Sequence, residues 1–598
     1  MNSKKQFQKG ATLNTSEKPG AGVTQKRLLP IVILVIVSLA VYINSLSNGF
    51  VYDDLVVIVE NKYIRNPLKN LPSLFNESYF KIAGGEAGYR PMATLSYYLI
   101  FAFAGSNPFY FHLASVLIHI ANACLVYLFC FQVLPNKSHA LLAGLLFACH
   151  PALSEAIVCI SFNEDLLTAL FFLLSLILYI KATDNQATIV VYVLSLLSYF
   201  LGLLSKEMAI TLPGIIFLYD VAFRSDGENS LTQKGILHTI RKGGFYYSGY
   251  IVVSLVYLVL RFSVFYKAKG SIESHYGSLV DRIVFLPAHI FSFIKLAFAP
   301  FNLSAAHVFV YPQGYFEITN IVGFTVVCGL IVFSFYLYKW SNAIFFGIWW
   351  FVLTLFPVYN LIEIFHPFAE RFVYIPIIGF CMIIPALIDA LLTRIIRKPA
   401  VKLATLVVVI LILGVYAATT IPRNRDWKDG MTLWSKTILT SPGSAIAHGN
   451  LGRAYQEQKK FDEAIQAYAK TIEISPGDYK AYHNLGVVYE NQGATDEAVQ
   501  HYEKAIEINP QYVDAHFNLA NIYHKKGVLD DAIAHYKKVI ELQPEDFEAR
   551  NNLGVAYAMQ GKLDNAISEW EKVLEIDPEN KSAEENIVKA KKVKDKTK

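Results

Sequence analysis

The sequence is short of charge, cysteine pairs and nucleotide-binding motifs, and each shortage closes off a class of function. Only 17% of the 598 residues are charged while 54% are hydrophobic, above the roughly 45–50% of soluble domains. The apolar excess lies before Ile421, so the chain reads as a polytopic membrane protein with a soluble tail. The net charge of +5 averages unlike parts: acids outnumber Lys and Arg after Asp426, while the membrane part is basic mainly in its loops. No basic patch of the nucleic-acid-binding kind is present. Cys124, Cys130, Cys149, Cys159, Cys328 and Cys381 all lie in or beside apolar runs, without CxxC spacing. They read as packing residues, neither zinc ligands nor a disulfide framework. The absence of GxGxxG, P-loop and HExxH patterns removes the motif-based case for a soluble nucleotide, ATP or zinc enzyme.

What is there begins with residues 1–27, polar and basic, which read as a disordered cytoplasmic lead. The first apolar run, Leu28 to Leu46, reads as a retained membrane helix in preference to a cleaved signal peptide, because no small-x-small site follows it. Eleven further runs span about 109–134, 139–160, 165–181, 188–204, 208–223, 245–265, 282–300, 317–339, 343–360, 372–393 and 400–421. The positive-inside rule places the N-terminus, the 224–244 loop and the 394–402 loop in the cytoplasm. Parity then makes 282–300, interrupted by Pro287, re-entrant or interfacial. About eleven crossings remain over 28–421, with a first outer loop at 47–108 and an extracytoplasmic tail. Met92 to Ala104 within that loop is too short to span and is expected along the surface.

The first run delivers Gly49-Phe50-Val51-Tyr52-Asp53-Asp54 to the far membrane surface. Neighbouring side chains do not face the same way, so one Asp can face a substrate while the other holds the loop. An Asp pair beside a membrane helix also suits a hydrated end or a cap. Further ionisable groups, each costing roughly 2.5–3.5 kcal/mol inside a membrane helix, collect on the same side: Arg90, His150-Pro151 with Glu155, Asn163-Glu164-Asp165, Ser205-Lys206-Glu207, and Glu370-Arg371 after His366-Pro367. Together they outline a polar cavity lined by His150, Glu155, Asp165, Glu207 and Glu370, whereas Asp220 and the Arg394–Lys402 group read as topology determinants. Such a cavity suits transfer from a lipid-linked donor. A carboxylate takes the proton of an acceptor hydroxyl while Arg or Lys stabilises a phosphate leaving group.

Asn48 to Asp54, Tyr89-Arg90-Pro91, His150-Pro151 with Glu155, Asp165-Leu166-Leu167, Ser205-Lys206-Glu207, Leu218-Tyr219-Asp220 and Ala369-Glu370-Arg371, followed by repeats, resemble the transmembrane and tetratricopeptide repeat-containing O-mannosyltransferases and their bacterial relatives. The resemblance implies a C-type membrane glycosyltransferase that moves a hexose of the mannose type from a polyprenyl-phosphate donor to Ser or Thr hydroxyls of extracytoplasmic proteins. It puts the family's acidic pair on Asp53 and Asp54 as catalytic residues. Arg90, Lys206 and Arg371 become the candidates for the donor phosphate. The implied location is a bacterial inner membrane in preference to the endoplasmic reticulum, and no metal is specified. Two departures stand out: Asn163-Glu164 precedes Asp165 where a Gly-Arg-type sequence is usual, and Phe372-Val373-Tyr374 replaces Tyr-Leu-Tyr.

The tail repeats at a period of 34, in Pro442, Pro476, Pro510, Pro544 and Pro578, in Asn-Leu-Gly at 450, 484 and 552 with Asn518-Leu519-Ala520 in register, and in Ala464, Ala498, Ala532 and Ala566. These are tetratricopeptide repeats. A half-repeat begins the 426–579 domain, repeats at 444–477, 478–511, 512–545 and 546–579 follow, and 580–598 forms a charged capping helix and tail. Asn450, Asn484, Asn518 and Asn552 look like the asparagine ladder of the O-GlcNAc transferase superhelix, which holds a peptide backbone; Asn is also simply common at that position. The fold class is thus all-α, a polytopic helix bundle followed by an α-solenoid whose partner is a polypeptide. A membrane-anchored scaffold for an envelope or secretion complex is the alternative, but a mere anchor has no use for the outer-face charges.

Overall fold

A computed structural model describes residues 21–76, 79, 88–184, 188–225, 231–265, 278–308, 316–362, 367–394 and 399–597, and among these it holds helices and turns but no strand. The chain divides into two compact units, Met1–Leu433 and Trp434–Lys598.

Among the described residues of the first unit six helices are long and apolar enough to cross a bilayer: Leu28–Ser47, Pro108–Val133, Ile160–Ala182, Gln233–Val264, Ile318–Tyr338 and Val401–Asp426. The chain is an integral membrane protein. Another pair, Lys137–Cys149 and Pro151–Val158, is bent by 53° where His150 leaves the helix and Pro151 cannot supply a helical N–H. Apolar helices at Pro91–Ala104, Ile189–Ser205, Leu286–Phe298, Asn342–Val358 and Pro376–Leu392 are shorter. Helix length therefore supports six or seven spans where about eleven crossings are expected, and crossing by the shorter helices remains a proposal. Prolines and charged residues make the difference. The expected run at 208–223, for example, contains only Leu212–Tyr219 as α-helix, between the tight turn Glu207–Thr211 and the wide turn Asp220–Arg224. At the N-terminus helix already begins at Ala21, while residues 1–20 of the expected lead lie outside the described residues.

The bundle is held by aromatic packing and by close helix approach. Trp350 is fully buried, donates to Ile375 O at 2.9 Å and packs on Phe129, Phe172 and Phe346. Gly347 and Gly379 let two helices meet there: a Cβ on Gly379 would stand 2.5 Å from Gly347 O, so any larger residue forces the pair apart. Asp220 makes a polar tie nearby, accepting from Tyr179 and Tyr247 at 2.6 Å each and from Arg224 at 3.1 Å. The helix Pro91–Ala104 is seated by buried Ala93, Thr94, Tyr97 and Tyr98, with Tyr97 donating to Ser161 O at 2.8 Å.

The second unit is a series of helix pairs, Ala445–Glu457 with Phe461–Ile474, Tyr479–Asn491 with Thr495–Ile508, Val513–Lys525 with Leu529–Leu542, and Phe547–Met559 with Leu563–Ile576, followed by Lys581–Thr597. Ser444, Asp478 and Asp546 cap the first helices of their pairs by accepting from the N–H three residues on, as N-cap side chains do. The recurring Gly of Asn-Leu-Gly lies under a ring. A Cβ on Gly452, Gly486 or Gly554 would fall 2.8, 2.6 or 2.5 Å from Tyr468, Tyr502 or Trp570.

Candidate active site

The segment after the first helix is fixed by one side-chain and one main-chain bond. Asn48 donates to Asn424 O at 2.9 Å, and Gly49 N to Lys428 O at 2.9 Å. Tyr52 then adopts φ 54°, a left-handed conformation that costs a side chain about 1 kcal/mol or more and turns the following carboxylates apart. Asp54 is fully buried, taking the Ser161 N–H at 2.7 Å and the Val51 N–H at 3.2 Å. Burial drives its carboxyl up to about 7 against these bonds. Asp53 is half-buried and makes no hydrogen bond or ion pair among the described residues. Burial raises its carboxyl too, with Arg371 opposing and Glu164 and Glu155 reinforcing. A carboxylate without a partner and with a raised pKa is equipped to accept a proton.

Around Asp53 the expected charged residues converge in one network. Arg371 donates from Nη1 to Glu155 Oε1 at 2.7 Å and from its main-chain N–H to Oε2 at 3.0 Å, and its guanidinium lies 4.0 Å from the Phe162 ring centroid. Lys206, 3% exposed, reaches both Asp165 oxygens at 2.8 and 2.7 Å and Glu164 at 3.0 Å. Arg90 pairs with Glu164 at 2.6 Å and lies 3.5 Å from Glu207, which Arg261 approaches at 3.3 Å. Asp53, Glu155, Glu164, Asp165 and Glu207 thus face Arg90, Lys206, Arg261 and Arg371, one carboxylate more than the cations balance. Among the described residues no three His, Cys, Asp or Glu side chains converge as metal ligands do.

Two expected cavity residues lie elsewhere. His150 is buried, its Nε2 3.0 Å from Ala297 O and its Nδ1 accepting from Ala152 N at 3.3 Å. It caps the broken helix, because a residue before proline is pushed out of helical geometry and its ring is free to turn back on the next N–H. Glu370 forms a second cluster with Arg423 at 3.2 Å, His307 at 2.9 Å and the Ser304 N–H. Burial there is outweighed by Arg423 and His307, which hold the carboxyl below its ordinary value. Its bonds go to Arg423 and His307, not to the neighbouring Arg371. His366 lies outside the described residues. Glu164 and Arg261 are the members sequence reasoning missed. Glu164 was counted among the outer-face ionisable groups and noted as a departure from a motif but given no role in the site, and Arg261 carried one usable signal, an arginine inside an apolar run.

In the repeats Asn450, Asn484, Asn518 and Asn552 are all half-buried. Asn450 donates to Ile446 O at 3.0 Å, Asn518 lies 3.0 Å from His483 Nε2, Asn552 donates to Asn521 at 3.3 Å, and Asn484 Oδ1 lies 3.4 Å from His483 Nδ1.

Residues 89–240, which contribute Arg90, Glu155, Glu164, Asp165, Lys206 and Glu207, match the family of dolichyl-phosphate-mannose-protein mannosyltransferases, and residues 452–493, 491–527, 520–561 and 547–580 match tetratricopeptide repeats. The protein O-mannosyl-transferase TMTC3 of Mus musculus is 24% identical over 479 residues, covering 73% of this chain and 50% of its own. The chain is similar to the protein O-mannosyl-transferases. Tmtc1 of Drosophila melanogaster, of the same name, is 26% identical over 509 residues, covering 71% of this chain and 59% of its own. The chain spans about half the length of the curated proteins it matches. Among solved structures, the MamA protein is 26% identical over 25% of this chain and 81% of its own, at a TM-score of 0.23.

Proposed function

We propose that the chain is a membrane glycosyltransferase that moves a hexose of the mannose type from a polyprenyl phosphate to Ser or Thr hydroxyls of extracytoplasmic proteins. The observation that carries the reading is Asp53, a half-buried carboxylate with no bonding partner among the described residues, set against Arg371 and the other cations. In the proposed step Asp53 takes the proton of the acceptor hydroxyl as its oxygen bonds to the anomeric carbon. The sugar–phosphate bond breaks and the electron pair leaves with the lipid phosphate, whose charge the nearby cations stabilise. Asp54 serves the same step by holding the loop to Ser161. The mannosyltransferase match over 89–240 and the names of the relatives support this chemistry.

The repeats are the proposed acceptor-binding part. An Asn amide offers two N–H donors and a carbonyl, so Asn450, Asn518 and Asn552 keep capacity for a peptide backbone beyond the bonds they make internally. The test is mass spectrometry of extracytoplasmic proteins from cells with the chain, without it, and with Asp53→Asn. Hexose on Ser or Thr that is lost with both deletion and variant supports the reading. Hexose retained in all three ends it.

A further inference from the structure

A lipid-phosphate donor makes opposite demands at its two ends: the polyprenyl chain stays in hydrocarbon while the phosphate reaches the polar network. The receiving cation therefore belongs on a wall that has lipid on one side and the site on the other. Lys206 is sealed at 3% exposure between Asp165 and Glu164. Arg371 sits in the tight turn Glu370–Val373, held twice by Glu155. Arg90 precedes a helix whose inward side is seated on the bundle. Arg261 is placed differently.

The helix Gln233–Phe265 exposes Val252, Leu255, Val259 and Phe262 at 57, 57, 69 and 65% on one face, while Tyr250 and Tyr257 are buried at 0 and 1% on the other. Arg261 follows Tyr257 by one turn on the inner face, donates to its hydroxyl at 2.8 Å and reaches Glu207 Oε2 at 3.3 Å. The other oxygen of Glu207 lies 3.5 Å from Arg90. Two guanidiniums thus bracket one carboxylate. All three side chains keep solvent access, 23, 21 and 35% for Arg261, Arg90 and Glu207, against 4% or less for Lys206, Glu164 and Asp165.

Resting on the function proposed above, we propose that the donor phosphate is received between Arg261 and Arg90 in exchange for the carboxylate of Glu207. The planar forks of two arginines match phosphate oxygens, and Glu207 in its present place would repel the incoming anion. Arg261 is then a donor-binding residue, and Glu207 is the counter-anion that keeps the pair apart and oriented while the site is empty.

The probe is farnesyl phosphate, with farnesol as its uncharged control, binding to the purified full chain in detergent. The wild type should bind the phosphate in preference to the alcohol, and Arg261→Gln should weaken the phosphate about tenfold or more, the scale of a lost hydrogen bond to a charged group. Arg261→Lys should recover part of that loss, and Glu207→Gln should tighten binding. Undiminished binding by Arg261→Gln overturns the assignment. If Arg261→Gln does not fold, Glu207→Gln decides: tighter binding sustains it, unchanged or weaker binding overturns it. Equal binding of alcohol and phosphate by the wild type strikes at the lipid-phosphate reading itself, and the inference falls with it.

Discussion

Arg371 and Glu155 are joined twice, by a 2.7 Å side-chain contact and by the main-chain N–H of Arg371 at 3.0 Å, with Glu155 1% exposed. The pair joins the second arm of the bent helix to the turn before Pro376, so it fixes in place a cation that acts on Asp53. Glu155→Ala leaves a largely buried guanidinium uncompensated and is expected to cost about 3–5 kcal/mol. Glu155→Gln keeps an acceptor for the N–H and should cost less. Thermal denaturation of the purified variants in detergent measures both, and an alanine variant as stable as the wild type would break this account of the pair.

Asp53 and Asp54 should separate by assay. Asp53→Asn removes the proposed base and is expected to lower transfer about 10²–10⁴-fold with little change in melting temperature. Asp54→Asn keeps an oxygen for the Ser161 N–H and should act on stability and its pH dependence. The folded Asp54 value of about 7 lies above the unfolded value of about 4, so the native state holds more protons between those limits. Stability from this group is greatest at the acid end and is lost as pH rises through 7. A wild type whose melting temperature falls over that window and an Asp54→Asn variant without that component of the slope are the expected results.

The division between these neighbours was half legible. Their opposed directions follow from backbone geometry alone, but the choice of Asp53 for the site depends on the left-handed Tyr52 and on Ser161, 107 residues away from Asp54. Periodicity located the repeats because each unit packs only on its neighbours. In the membrane part it located apolar runs but not their breaks, since proline and buried ion pairs decide whether a run continues as one helix. Glu370 shows the same gap: its neighbour Arg371 turns to Glu155, while Glu370 turns to Arg423 and His307.

The first repeat carries a local conflict that can be relieved. Gly493, Gly527 and Gly561 take φ of 81°, 75° and 79° at the turn between paired helices, and Lys459 stands in the first repeat at φ 58°. A left-handed lysine costs about 1 kcal/mol, partly offset by the greater freedom of glycine in the unfolded chain. Lys459→Gly should therefore slow hydrogen exchange in Ala445–Ile474 by an amount equivalent to about 0.5 kcal/mol. Faster exchange there would mean that Lys459 is held by contacts worth more than its strain.

Topology is open to direct labelling. The basic 394–402 segment should stay in the cytoplasm, and the helix Pro399–Asp426 should carry the chain across once more. A cysteine at Lys525, whose side chain is 72% exposed, is expected to react in intact cells with a membrane-impermeant thiol reagent above the background of the native chain. Reaction only after lysis would place the repeats in the cytoplasm and remove them from any extracytoplasmic acceptor.

The asparagines of the repeats allow a test of acceptor choice. Replacing Asn450, Asn484, Asn518 and Asn552 together by Ala removes amide groups that can bond any peptide backbone, and also the internal bonds to Ile446, His483 and Asn521. Each internal bond is worth about 1 kcal/mol, so the variant should be less stable yet folded, since the ring-against-glycine packing of Gly452, Gly486 and Gly554 is untouched. If the ladder holds acceptors, the KM for long polypeptides should rise because the repeats no longer concentrate the chain near the membrane unit. Short peptides reach the site without that help, so their KM should change little. Equal loss on both, with a lowered melting temperature, would assign the asparagines to repeat packing. Unchanged kinetics on both would reserve the repeats for a partner other than the acceptor.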